Sequence, residues 1–230
     1  YGTDVDVVGV FTGSLNNGGE SIAFGHPVAS MLEAFEYNDA GDWPNRADGG
    51  GSSLELIDID GDHTAGSSWR SSSEYGGSPG LVGTGPRSDV VVNEVLTHSD
   101  DPLTDSIELY NTTGAPIDIS GWFLSDGGPD YAKFEIPAGT VIPADGYVVF
   151  YEGHYVAGAL EVDYATEFGG PGEKDFALSG ARGDDVWLME ADASGNLLGF
   201  VDHVDFGAAI NGESFGRWPD TLGDLYPMTS

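Results

Sequence analysis

The feature that most limits what this chain can become is an apolar alternation of period two that is cut by a turn signal every few residues. It is densest in residues 89–126. Val90, Val91 and Val92 form a β-branched run that suits a buried strand better than a helical turn. Ile107 and Leu109 alternate with Glu108 and Tyr110, the pattern of a strand with one face buried. Thr113-Gly114-Ala115-Pro116 breaks the chain, Ile117 and Ile119 resume the alternation, and Ser120-Gly121 turns it again. Trp122 and Leu124 are expected to point inward on the next strand, ahead of the loop Asp126-Gly127-Gly128-Pro129-Asp130. Strands this short, with turns this frequent, predict an all-β sandwich or barrel.

The order of these motifs carries a family likeness. VNEV (92–95), SIELYN (106–111) and DISGWFLSD (118–126) resemble the opening half of a lamin-tail domain, an immunoglobulin-like β-sandwich. The resemblance continues through Phe134-Glu135-Ile136-Pro137, residues 142–150 and Asp175-Phe176-Ala177-Leu178, and closes with residues 183–188 and 201–206. It covers roughly 89–220, a whole domain by size. The matching positions are core and turn residues, so they speak to fold and say little about activity. The resemblance implies a non-catalytic accessory or structural role, in secreted or cell-surface bacterial proteins, beside other domains of large exported chains.

Residues 1–80 read as the closing half of the same domain without an opening half. Residues 15–22 lie over 178–186: a leucine, a glycine-bearing loop, an acidic residue and a return to β-branched apolar character. Residues 32–37 lie over 201–206, and 51–56 over 212–217, with apolar positions alternating in step. This is a repeat signal. Nothing in 1–80 corresponds to the opening motifs, and the loop 38–50 is longer in the first copy. Half a sandwich leaves a sheet face or edge uncovered. The missing strands lie upstream, or another chain supplies them by strand addition, or the first module packs face-on against the second. The chain begins at Tyr1 without a methionine, signal peptide or anchor, and reads as a piece of something longer or a processed product. The organisation expected is a partial module at 1–80, a Gly/Pro-bearing linker at 81–88 and a complete domain at 89–225, with a loose extended tail after Pro219.

Composition narrows the partners. Thirty-nine acidic residues against seven basic ones leave a net charge of −32, which repels phosphate backbones and anionic membranes while attracting cations. No cysteine is present, so neither disulfide nor thiol chemistry enters. No apolar run approaches the roughly 18 residues that a spanning helix needs.

Several motifs invite a chemical reading, and each has a plainer one. Gly76-Gly77-Ser78-Pro79-Gly80 matches the nucleophile-elbow expression, but Pro79 has no N–H for an oxyanion hole and no helical pattern follows, so it reads as a turn. Asp58, Asp60 and Asp62, and then Asp100, Asp101 and Asp105, supply carboxylates for a calcium site; the competing reading is solvated turn residues. The first trio fails the EF-hand pattern, because Gly61 comes early and Trp69 stands where the closing glutamate belongs. In Asp202-His203-Val204-Asp205, His203 and Asp205 share one strand face and Asp202 points opposite. Two ligands on a face fall short of the three that a catalytic zinc requires. Trp122 and Trp187 lie in strands and read as core. Trp43 and Trp218, each followed by proline, could form with the nearby tyrosines Tyr37 and Tyr226 an aromatic platform for a sugar ring, though loop packing explains them at least as well. Asn111-Thr112-Thr113 matches the glycosylation sequon.

The chain therefore reads as two immunoglobulin-like β-sandwich modules in tandem, the first partial. The function expected is a non-catalytic, extracellular or cell-surface structural or adhesive module. It would assemble with copies of itself or with other extracellular proteins, through sheet edges or strand complementation. The alternative is a glycan-binding accessory module of a larger secreted protein. No enzyme activity, nucleic-acid partner or membrane insertion is expected, and the one cofactor considered is calcium.

Overall fold

The computed structural model describes residues 12–25, 31–100, 103–128, 130–152, 176–219 and 223–228. The chain divides into two compact units, Tyr1–Pro86 and Arg87–Ser230. Strands and turns make up nearly all of both, the helical content being two 3-10 turns at Asn45–Ala47 and Gly66–Ser68 among the described residues.

Among the described residues the first unit holds four strands: β1 (Glu20–Gly25), β2 (Met31–Tyr37), β3 (Leu54–Leu56) and β4 (Trp69–Ser71). They form two separate antiparallel ribbons, β1 with β2 and β3 with β4.

The second unit contains β5 (Val90–Leu96), β6 (Ser106–Asn111), β7 (Ile117–Asp118), β8 (Phe123–Ser125), β9 (Phe134–Glu135), β10 (Val141–Ile142), β11 (Tyr147–Tyr151), β12 (Asp184–Ala191), β13 (Leu197–Phe206), β14 (Ser214–Arg217) and β15 (Leu225–Met228). A five-stranded sheet in the order β11-β6-β5-β14-β15 faces a four-stranded sheet in the order β13-β12-β8-β9, and β7 with β10 forms a small third ribbon. The alternation written in the sequence sends Ile107 and Leu109, Val186 and Leu188, and Val90 and Val92 into one core between the sheets. A bulge at Asn93 shifts the phase of β5, so that Val95 rather than Glu94 faces inward. This is an immunoglobulin-like β-sandwich.

Three groups hold its edges and corners. Asn111 is fully buried, and its Nδ2 donates to the carbonyls of Ala115, Ile142 and Pro143 while its Oδ1 accepts from Thr113. The sequon asparagine is thus occupied as an internal turn clamp. Asp202 accepts from the Val92 backbone N–H at 2.7 Å and from the Arg217 guanidinium at 2.8 Å, tying β13 of one sheet to β5 and β14 of the other. Arg87 makes a two-pronged pair with Asp89, reaches Glu190, and lies 5.2 Å from the ring centre of Trp122.

Two expectations change. The segment after Pro219, expected to be loose, contributes β15, which pairs with β14 from Leu225 to Met228. Pro227 is tolerated there because β15 is the last strand of its sheet and needs no second ladder. Trp122 is core, but Trp187 is not part of the central core. It lies on the outer face of the four-stranded sheet, against a smaller cluster of Phe123, Tyr131, Met189 and Phe200.

Candidate functional site

The two ribbons of the first unit line an open cleft of about 380 Å³. Its apolar walls are Leu15, Ile22, Phe35, Tyr37, Leu54 and Trp69. Phe35 and Trp69 approach to 5.2 Å between ring centres, and Trp43 stacks behind Trp69 at 5.9 Å. The Tyr37 hydroxyl donates to the Asn16 carbonyl at 2.6 Å. Partial desolvation, and then the negative charge of Glu20, raise the phenol above its ordinary value.

The position of this cleft follows from strand register. In β1–β2, Glu20 pairs with Tyr37 and Ile22 with Phe35. In β12–β13, Asp184 pairs with Phe206 and Val186 with Val204. These are the residues that the sequence overlay sets side by side. Likewise Leu54 faces Ser71 and Leu56 faces Trp69 in β3–β4, while Phe215 faces Pro227 and Arg217 faces Leu225 in β14–β15. One glycine repeats with them. Gly19 (φ 102°) and Gly183 (φ 82°) each lead into the first strand, and a Cβ on either would stand 2.4 Å from the carbonyl oxygen of Tyr37 or Phe206 respectively. By register the cleft walls Ile22, Phe35 and Tyr37 are placed in β1–β2 as Val186, Val204 and Phe206 are in β12–β13, and these last three sit in the core of the second unit.

In the second unit, β12 has β8 as its second neighbour and β14 has β5. β1 and β3 each have one partner among the described residues. Every buried large apolar side chain among those residues lies between Val90 and Phe215.

A second constellation lies on the outer face of the β12–β13 hairpin. His203 and Asp205 share that face, as the strand period requires, and Asp202 points away into the network that joins the sheets. The neighbouring strand adds Asp185, giving three side chains whose ligand atoms all lie within 4.8 Å of one another. His203 Nε2 is 3.5 Å from Asp185 Oδ2 and 3.8 Å from Asp205 Oδ2. The face thus carries three potential ligand side chains where the sequence showed two. Asp185 was missed because it is eighteen residues away in the chain; only the register, with Asp185 opposite Asp205 and Trp187 opposite His203, brings it in. The Trp187 ring stacks on His203 at 3.5 Å, and its indole N–H donates to Asp185 Oδ2 at 2.7 Å. Burial raises the Asp185 carboxyl, but the His203 ring and the indole N–H outweigh it and hold the group below its ordinary value.

The acidic candidates for calcium do not converge in the same way. Asp58 and Asp62 turn back on the backbone, accepting from the N–H groups of Asp60 and Thr64. Asp100 accepts from Asn211 at 2.6 Å and Asp105 from Ser99 at 2.5 Å, and Asp101 lies outside the described residues. Among the described residues no three of the six gather within 4.8 Å. Tyr37 and Trp43 belong to the first unit, whereas Trp218 is in the second and 67% exposed. Ser78 of the elbow-like motif donates to Glu55 at 2.5 Å, and no helix follows it.

The second unit is thus an immunoglobulin-like sandwich built of core and turn motifs. A family model, the Lamin Tail Domain, matches residues 84–208, more than half of the chain, and the chain belongs to that family. The sheet order shows that the sandwich runs past the matched segment, since β14 and β15 complete the five-stranded sheet. The family is one of structural and interaction modules. No curated protein matches the chain.

Proposed function

We propose that this chain is an extracellular interaction module whose first unit is completed by strands from another polypeptide. The reading rests on the apolar cleft: its walls are the counterparts of side chains that the second unit buries between two full sheets. The edges of β1 and β3 that no described strand pairs would supply a hydrogen-bonding template, so an incoming strand would gain a ladder and cover apolar surface together. A net charge of −32 directs this association away from nucleic acid and anionic lipid.

Multi-angle light scattering across a concentration series tests it. The expected result is a dimer or larger assembly that dissociates in Leu54→Asp, which places a carboxylate in the cleft. A strictly monomeric, well-folded 230-residue chain at all concentrations overturns the reading.

A second reading, glycan binding, is favoured by one observation. Trp218, just past the end of β14, and Tyr226 on the adjacent strand β15 present exposed rings, being 67% and 49% exposed. Glycan-array binding lost in Trp218→Ala supports it, and an array with no binding removes it.

A further inference from the structure

We infer that Asp185, His203 and Asp205 form a binding site for a divalent transition-metal ion, with zinc as the ion of best fit. Three independent features of the hairpin point to a cation. Asp185 and Asp205 stand directly opposite each other on paired strands. Like charges at that spacing repel and destabilise the pair, the more so on a chain of net charge −32. An ion between them reverses the sign of that interaction.

His203 Nε2 is the second feature. It is withdrawn from solvent and has no hydrogen-bond partner, although the ring as a whole is 27% exposed. Buried ring nitrogens without a partner are uncommon, and a bound ion is among the explanations that such an atom calls for. The two carboxylate oxygens at 3.5 and 3.8 Å lie beyond hydrogen-bond length. The third feature is spacing. Ligands held about 2.0–2.2 Å from a tetrahedral zinc lie about 3.3–3.6 Å from one another. The two His203–carboxylate separations sit at or just above that range, and the carboxylates lie within 4.8 Å of each other, so side-chain shifts would bring all three onto one ion.

Chemistry selects the ion. Calcium and magnesium take oxygen ligands and coordinate imidazole poorly, whereas one imidazole with two carboxylates suits zinc and its first-row neighbours. Trp187 acts as an outer partner, since its indole N–H orients the Asp185 carboxylate and its ring fixes the plane of His203. Asp205 is 80% exposed, so the ion is reached from solvent and water fills the remaining position. The site would clip β13, the outermost strand of its sheet, to β12.

Isothermal titration of Zn²⁺ into the metal-stripped full chain tests this, run in excess Ca²⁺ to saturate the acidic surface. The expected result is one equivalent of Zn²⁺ per chain, with the melting temperature of the wild type raised by the ion. His203→Gln is expected to abolish the single-equivalent isotherm. Asp205→Asn, whose side chain is mostly solvated, removes one of the two facing charges and is expected to keep or raise the metal-free melting temperature. It should weaken binding by more than about tenfold, a factor that loss of even an outer partner commands. Binding that is many-sited and displaced by Ca²⁺, absent altogether, or unchanged in both variants overturns the assignment.

Discussion

Ile22, Phe35 and Tyr37 in the first unit, and Val186, Val204 and Phe206 in the second, take like places in the pairing registers of β1–β2 and β12–β13. The second set is 0–8% exposed, while the first remains half-buried around an open cleft. Side-chain chemistry and pairing register are therefore shared, and burial is not. The difference lies in what stands across the gap. In the second unit β5, β6 and β11 extend one sheet, and β8 and β9 extend the other. Two-stranded ribbons alone are marginal in water, because each buries only what a facing layer can cover.

The sharpest way to break this comparison is to truncate matched positions. Leu188→Ala empties a site that is 0% exposed and is expected to cost the second unit about 2–5 kcal/mol, read from its denaturant midpoint. Phe35→Ala in the first unit is expected to cost well under the full core value, about 1–2 kcal/mol, because its ring is already partly solvated. Equal losses at the two positions would show that the cleft is closed in solution and would end the comparison.

Next in size is the tie between the sheets. Asp202→Ala leaves the Val92 N–H and one arm of Arg217 unpaired at a partly buried corner, with an expected loss of about 2–3 kcal/mol. Urea titration followed by near-ultraviolet dichroism measures it; no change would mean that apolar packing alone holds the sandwich shut.

The smallest effect is at the entrance to the second unit. Burial raises Asp89, but the hydrogen bonds and charge of Arg87 outweigh it and hold the carboxyl below its ordinary value. Its folded pKa is thus depressed, so its contribution is present above the unfolded value, about 3.9, and is lost as pH falls through the folded one. Removing the pair with Arg87→Ala is expected to cost about 1 kcal/mol at neutral pH after allowing for solvent screening. Melting temperatures of the variant and the wild type should converge as the pH falls below about 4. A constant gap down to the lowest pH would assign the loss to the Arg87–Trp122 contact instead.

Much of this fold was legible in the chain. Ile107, Leu109, Ile119, Trp122 and Leu124 were expected inside and are 0–6% exposed. They were readable because alternation names the buried face wherever the opposite face is polar. The rule lost its grip on Val186-Trp187-Leu188-Met189, where both faces are apolar and a bulge follows Leu188. That is why Trp187 was assigned to the wrong layer. Leu225–Met228 was hidden by Pro227, which argues against a central strand but not against a terminal one.

Alternation and turn chemistry act over a few residues, so the amino-acid sequence alone determined where strands begin, which face most of them bury, and the family to which the sandwich belongs. Which groups meet across strands is a matter of register and sheet order, set by contacts between residues far apart in the chain. Only the folded molecule could place Asp185 beside His203, join Asp202 to Arg217, and leave the first unit's apolar walls facing an open gap.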